Sequence, residues 1–146
     1  MNNPEYQKNE FTISTDKSRL QIDVIQKFLV EDSYWASTRT LEQTQLAIEN
    51  SLCFGMYFAE KQIGFARVVT DYATFAYIGD VFVLEEFRGL GLSKWLMEVM
   101  INHPRLQGLR RWVLATKDAH GLYSKFGFHG LKFPERWMEL PAPNAY

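Results

Sequence analysis

Only one cysteine, Cys53, stands in the 146 residues, which excludes an internal disulfide and a cysteine-built zinc cluster. Its apolar, strand-like surroundings read as core rather than as the setting of a nucleophile. Charge of one sign is also lacking: 16 basic side chains against 17 acidic give a net charge of −1, so no electrostatic case exists for a nucleic-acid or membrane-surface partner. No apolar run approaches the length of a membrane span, and the polar start (Asn2, Asn3, Glu5, Lys8, Asn9) offers no secretory signal. Cytoplasmic residence is therefore expected. His103 and His129 have no carboxylate or cysteine partner at metal-ligand spacing, so no metal is expected. Repeats, low-complexity tracts and linkers are missing too. What is present is apolar: 47% hydrophobic and 15% aromatic residues argue for a packed core. The expected organisation is a flexible tail over residues 1–9 and a single domain over 10–146.

Periodicity orders the elements. Phe11–Thr15 alternates as a strand, and Ser18 with Gln21 forms a candidate capping box ahead of the apolar stripe Leu20, Val24, Ile25, Phe28 and Leu29. Thr40 with Gln43 repeats the capping signal before a second helix. Residues 32–37 form a polar-aromatic loop between the two helices. Leu52–Phe58 and Ile63–Val69 read as a hairpin around residues 59–62, and Phe75–Leu84 as a third antiparallel strand. A helix over 92–102 stops near Pro104. A strand over 109–115, a helix over 118–125 and closing strands near Phe128 and at Trp137–Leu140 complete the pattern. This order predicts a mixed α/β (α+β) layer in which the two strands around helix 92–102 form a right-handed parallel crossover.

The richest segment follows the third strand. Val81–Leu84 reads as buried strand, Arg88-Gly89-Leu90-Gly91-Leu92-Ser93 as a turn, and the next residues as an amphipathic helix. The glycines permit tight turning and close backbone approach, and the helix aims its unpaired N–H groups at whatever anion lies in the turn. A dinucleotide fingerprint requires a third glycine where Lys94 stands, and no Gly-Lys-Ser/Thr string exists for a Walker A loop. An ordinary strand-to-helix turn is the alternative.

The string resembles the acetyl-CoA loop of the GCN5-related N-acetyltransferases (GNAT), Q/R-x-x-G-x-G/A, with Arg88 and Gly91 in place and Ser93 where the family prefers Gly or Ala. Ala119, Leu122, Tyr123, Lys125, Gly127 and Phe128 resemble the family's later helical segment, at a separation that accommodates one helix and one strand. The resemblance covers about residues 10–140. It implies an acyl-CoA N-acyltransferase fold, with a central mixed sheet of about six to seven strands flanked by about four helices. The two parallel strands splay apart there to admit the pantetheine arm. It also implies acetyl-CoA as co-substrate, gripped by the backbone of Arg88, Gly89, Leu90, Gly91, Leu92 and Ser93. Phe82 and Val83 would pair with pantetheine, the Val83 amide facing the thioester carbonyl. Thr116 stands where many members carry a cofactor-contacting asparagine. Many members dimerise, which allows a homodimer here.

Acetyl transfer asks for a proton at the departing thiolate and a neutral amine. Tyr123 is the candidate acid; the alternative is a tyrosine that packs in the core. Asp80, flanked by apolar residues, is the candidate base or amine ligand, its pKa expected to rise by desolvation; a structural hydrogen bond is the alternative. Glu85 and Glu86, directly before the glycine turn, read as a solvated turn or as further base candidates, and His120 as a surface histidine or a relay. Arg105, Arg110, Arg111 and Lys117 suit a nucleotide phosphate or a solvated edge. Tyr34 and Trp35, with Trp137 and Met138, are candidate walls of an acceptor pocket, or else core or dimer contacts. The expected reaction is direct transfer to a primary amine of a small molecule or peptide. The alternatives are a non-catalytic CoA-binding sensor or partner-binding domain, and transfer of a different acyl group.

Overall fold

The computed structural model describes residues 4–145, and the chain divides after Ala115 into two compact units. The first holds a six-stranded mixed sheet in sequence order: β1 (Glu5–Lys8), β2 (Phe11–Ser14), β3 (Leu52–Phe58), β4 (Lys61–Thr70), β5 (Phe75–Val83) and β6 (Arg111–Leu114). All neighbours are antiparallel except β5 and β6. Three helices belong to this unit: α1 (Ile22–Lys27), α2 (Leu41–Glu49) and α3 (Leu92–Ile101).

Residues on β3 point alternately to opposite sides. On one face Cys53, Phe65 and Phe82 meet Ile25, Phe28, Leu29 and Ala36. Burial pushes the Cys53 thiol up to about 11, in keeping with a core residue. Phe54, on the other face, meets the edge of His103 at the end of α3 (ring centroids 5.5 Å apart). The stripe of α3 is deep, with Leu92, Trp95, Leu96, Met97, Val99 and Met100 all buried. The His103 ring accepts from Arg105 N–H at 3.2 Å. Thr40 and Gln43 form the expected capping box, at 3.1 and 2.9 Å.

Three expectations change. Residues 1–3 of the expected tail lie outside the described residues, but Glu5–Lys8 is a strand. Asn9, at φ 56°, makes the left-handed corner of a two-residue hairpin turn, and Tyr6 lies opposite Ile13. Ser18 caps no long helix: it sits in a 3-10 turn over Lys17–Arg19, where its N–H donates to Asp16 at 3.0 Å. Gln21 instead reaches Gln62 and Glu60. Among the described residues no strand follows β6. The stretch at 137–140 has Met138 and Leu140 almost wholly exposed, and a period-2 pattern without a ladder partner does not make a strand.

The second unit begins at Thr116 and holds α4 (His120–Ser124), a 3-10 turn over Pro134–Arg136 and irregular chain. No helix among the described residues is long and apolar enough to cross a membrane.

Candidate active site

The Leu84 N–H donates to Ile63 O at 2.8 Å, so strand alternation turns Val83 N–H and C=O to the opposite edge of β5. That edge is open. The parallel partner β6 pairs with Phe75–Ile78 alone, and Gly79–Val83 have no strand partner there. The backbone groups that strand alternation turns to this edge, the Val83 amide among them, can accept an extended, amide-containing ligand as a sheet edge accepts a peptide. Arg88 Nε donates to Val83 O at 3.1 Å and so folds the following turn against the strand end.

Glu85–Phe87 is a 3-10 turn, closed by Phe87 N–H to Leu84 O at 2.9 Å and Arg88 N–H to Glu85 O at 3.1 Å. Gly89 (φ 84°) and Gly91 (φ 76°) take left-handed conformations, and a Cβ at either would project into open space. Gly91 is the N-cap of α3 and supplies no side-chain cap. The first helical bond, Trp95 N–H to Gly91 O at 3.1 Å, leaves the N–H groups of Leu92, Ser93 and Lys94 for a ligand. Leu92 is buried and anchors the helix, whereas Leu90 is 58% exposed. Open space, unspent donors and a helix dipole fit the diphosphate of CoA. Glu85 and Glu86 are exposed, as expected of a turn, and with Val24, Lys27, Phe28, Asp32, Lys61 and Leu84 they line an open groove of about 550 Å³. Glu86 pairs with Lys61 at 3.0 Å.

Asp80 is the least ordinary residue of the sheet. Phe65 faces Phe82 but Arg67 faces Gly79, so β5 carries one extra residue in a bulge that contains Asp80 and Val81. Asp80 holds φ 53°, a conformation that aspartate tolerates better than most residues. Its buried carboxylate is saturated. Trp35 Nε1 donates to Oδ1 at 2.9 Å, Arg39 donates to both oxygens at 2.9 and 3.2 Å, and Arg67 Nε donates to Oδ2 at 2.9 Å. Burial pulls the carboxyl pKa upward, but the hydrogen bonds and charges of Arg39 and Arg67, helped by Trp35, outweigh it and hold the group below the ordinary carboxylate range. The expected upward shift is thus reversed, because the sequence shows the apolar flanks and not the guanidiniums. A carboxylate held this low accepts protons poorly near neutral pH.

The hub orders the loop between α1 and α2. A π-helical turn over Phe28–Asp32 ends α1, with Ser33 N–H reaching Phe28 O at 2.9 Å. Ser33 Oγ donates to Leu29 O and accepts from Ala36 N–H. Tyr34 and Trp35 meet edge to face at 5.1 Å and are 53% and 39% exposed. Trp35 also packs on Phe28 (6.4 Å), which stacks on Phe82 at 4.1 Å. Two of the four candidate acceptor walls, Tyr34 and Trp35, are therefore brought together with Asp80 and the open strand end. Arg39, Arg67 and Ser51 were not anticipated. Their separations in sequence form no motif: Arg39 and Arg67 meet at the Asp80 carboxylate, and Ser51 Oγ accepts from Arg67 at 3.1 Å.

In the second unit Tyr123 is buried on α4, its ring edge-on to Phe128 at 6.1 Å, and Gly127 (φ 93°) turns the chain out of the helix. Thr116 Oγ1 accepts from Ala119 N–H at 3.0 Å, so one lone pair serves the entry to α4 while the hydroxyl proton stays available. Trp137 is partly exposed. Among the described residues no group of three His, Cys, Asp or Glu is placed to hold a metal ion.

An α+β sheet whose one parallel pair parts beside a glycine-capped helix describes an acyl-CoA transferase fold. The sequence model of the Acetyltransferase (GNAT) family matches residues 22–128, and the chain belongs to that family, whose co-substrate is acetyl-CoA. A Gibberella zeae protein with a provisional acetyltransferase name is 31% identical over 140 residues, covering 81% of this chain and 78% of its own. The crystal structure of a provisionally named GNAT-family acetyltransferase from Xanthomonas campestris pv. campestris is 52% identical, with a TM-score of 0.90 over 93% of this chain and 96% of that one. A GNAT acetyltransferase of Elizabethkingia anophelis solved with acetyl-CoA bound is 18% identical, with a TM-score of 0.64 over 94% and 92% of the two chains, and shows the shared fold.

Proposed function

We propose that this chain is an acetyl-CoA-dependent N-acetyltransferase that acts on a primary amine of a small molecule or peptide by direct transfer in a ternary complex. The observation that carries the reading is the left-handed Gly89–Gly91 turn set between the open edge of β5 and the uncapped N-terminus of α3. In this reading the N–H groups at 89–94 hold the diphosphate, the unpaired side of β5 beyond Ile78 receives pantetheine, and the Val83 amide donates to the acetyl carbonyl, where negative charge develops. The Arg88 N–H is spent on Glu85 O and the Phe82 backbone faces β4, so neither takes part. When bound, acetyl-CoA supplies an activated thioester: the amine nitrogen bonds to the carbonyl carbon as the carbon–sulfur bond breaks. Tyr123 gives its proton or a hydrogen bond to the leaving sulfur, and Thr116 contributes its hydroxyl to the cofactor. Tyr34 and Trp35 wall the acceptor. Asp80 is proposed as the clamp of that wall rather than the base, so the amine proton passes to solvent. The family match runs across the boundary after Ala115, which supports 10–146 as one functional domain. Cytoplasmic residence fits the reading.

Calorimetric titration with acetyl-CoA and free CoA, followed by a thiol-release assay over an amine panel, tests it. Micromolar binding with thiol release from an acceptor is the expected result. Binding without release across the panel favours a CoA-binding sensor, and absence of binding refutes the cofactor.

A further inference from the structure

We infer that the acceptor amine carries an oxyanion, a carboxylate or phosphate on a short spacer, and that Arg39 and Arg67 recognise it. The inference rests on the acetyltransferase reading above and deepens it. The hub holds two guanidiniums and one carboxylate. The side chains of Arg39 and Arg67 are 20% and 14% exposed and that of Asp80 is 3% exposed, so one unit of positive charge is left over in a largely dry place. No other carboxylate is bonded to either arginine among the described residues. Each guanidinium has five N–H donors. Arg39 spends two on Asp80, and Arg67 spends one on Asp80 and one on Ser51 Oγ. The rest remain for a ligand. Removing an unbalanced cation from water is costly, and a bound anion offsets that cost.

Position selects the acceptor as the source of the anion. Along β5 the order is Asp80, then Val83, then the glycine turn at 88–93. The hub therefore precedes the carbonyl-binding amide while the diphosphate turn follows it, so the cofactor's phosphates belong on the far side of the reacting carbon. The column Trp35–Phe28–Phe82 ties the hub to the strand end beside that amide. An amine that reaches the acetyl group from the exposed faces of Tyr34 and Trp35 passes the arginine pair, whose planar forks suit carboxylate and phosphate alike.

The test uses matched acceptors: β-alanine against β-alaninamide, and O-phosphoethanolamine against ethanolamine. Each is titrated calorimetrically into the full chain with and without CoA, and each is assayed for kcat/KM with acetyl-CoA. The anionic member of at least one pair is expected to bind ten-fold or more tightly. Arg39→Gln is expected to reduce that preference to near unity while CoA affinity holds. Arg67→Lys, which keeps the charge and loses the fork, is expected to weaken the preference in part. Equal binding of both members of both pairs by the wild-type protein overturns the inference, and that reading needs no variant to fold. Loss of CoA affinity in Arg39→Gln with the acceptor preference intact also overturns it, by giving the arginines to the cofactor. Failure of CoA to bind strikes the acetyltransferase reading instead, and the acceptor titrations without CoA still decide the anion.

Discussion

The glycine turn and the Asp80 hub lie a few residues apart on one chain segment, and they are built in opposite ways. The turn at 88–93 offers backbone donors, left-handed glycines and open space, with the Arg88 side chain turned back to Val83. The hub is all side chain: one buried carboxylate takes donors from Trp35, Arg39 and Arg67. A site made of backbone is ready for a ligand because its donors are unspent. A hub whose carboxylate is saturated offers the reaction no acceptor, and keeps for a ligand only the guanidinium donors that Asp80 and Ser51 do not use. The contrast separates the proposed cofactor grip from the proposed acceptor wall.

The largest expected effect tests the hub. Asp80→Asn keeps a side chain that tolerates φ 53° and removes the charge, leaving two guanidiniums without a counterion. It should cost about 3 kcal/mol of stability, the scale for breaking a buried ion pair, as read by urea unfolding at pH 7. A cost under about 0.5 kcal/mol would make the hub ornamental. The same variant carries a pH signature. The folded Asp80 pKa lies below its unfolded value of about 3.9. Its contribution is therefore present above that value and lost as pH falls through the lower folded pKa. Wild-type protein should shed this increment in the acid range, and Asp80→Asn should not.

Gly91→Val strikes the turn. A β-branched residue at φ 76° is strained by about 1–2 kcal/mol, and its side chain enters the space an anion would use. Acetyl-CoA affinity should fall at least ten-fold by calorimetry, and full affinity would detach the turn from the cofactor. Tyr123→Phe should lower kcat about ten-fold or more with little change in the KM for acetyl-CoA, given that one proton donor is typically worth at least that much. An unchanged kcat in single-turnover assays removes Tyr123 from the chemistry. The smallest effect belongs to Thr40→Ala, which opens the α2 capping box and should cost about 1 kcal/mol of stability while sparing CoA affinity. Loss of CoA affinity there would show that the acceptor wall and the cofactor grip are not separable.

The same contrast explains what the sequence could show. Gly89 and Gly91 before an amphipathic helix are local, since each backbone requirement leaves its own residue type, so the turn, α3 and the parallel crossover are legible. The antiparallel strands from β3 to β5 are legible from apolar runs for the same reason. Asp80 was visible as a carboxylate among apolar residues, but its pKa direction depends on Arg39, 41 positions away, and Arg67, 13 positions away. The bulge at Asp80 changes a register, and register leaves no mark in composition. β1 was missed because its polar residues resemble a tail, and only the turn at Asn9 betrays the hairpin. The stretch at 137–140 shows the converse: an apolar pattern that reads as a strand has no ladder to join.

The central claim is that the chain binds acetyl-CoA through the diphosphate in the glycine turn. Titration of the wild-type protein with acetyl-CoA and, in parallel, with S-acetylpantetheine, which lacks the diphosphate, tests it most directly. Micromolar binding of acetyl-CoA with at least a hundred-fold weaker binding of the truncated thioester is the predicted result, as expected when several charge-assisted N–H contacts are lost. Equal affinity for the two, or no binding of acetyl-CoA, would contradict the account.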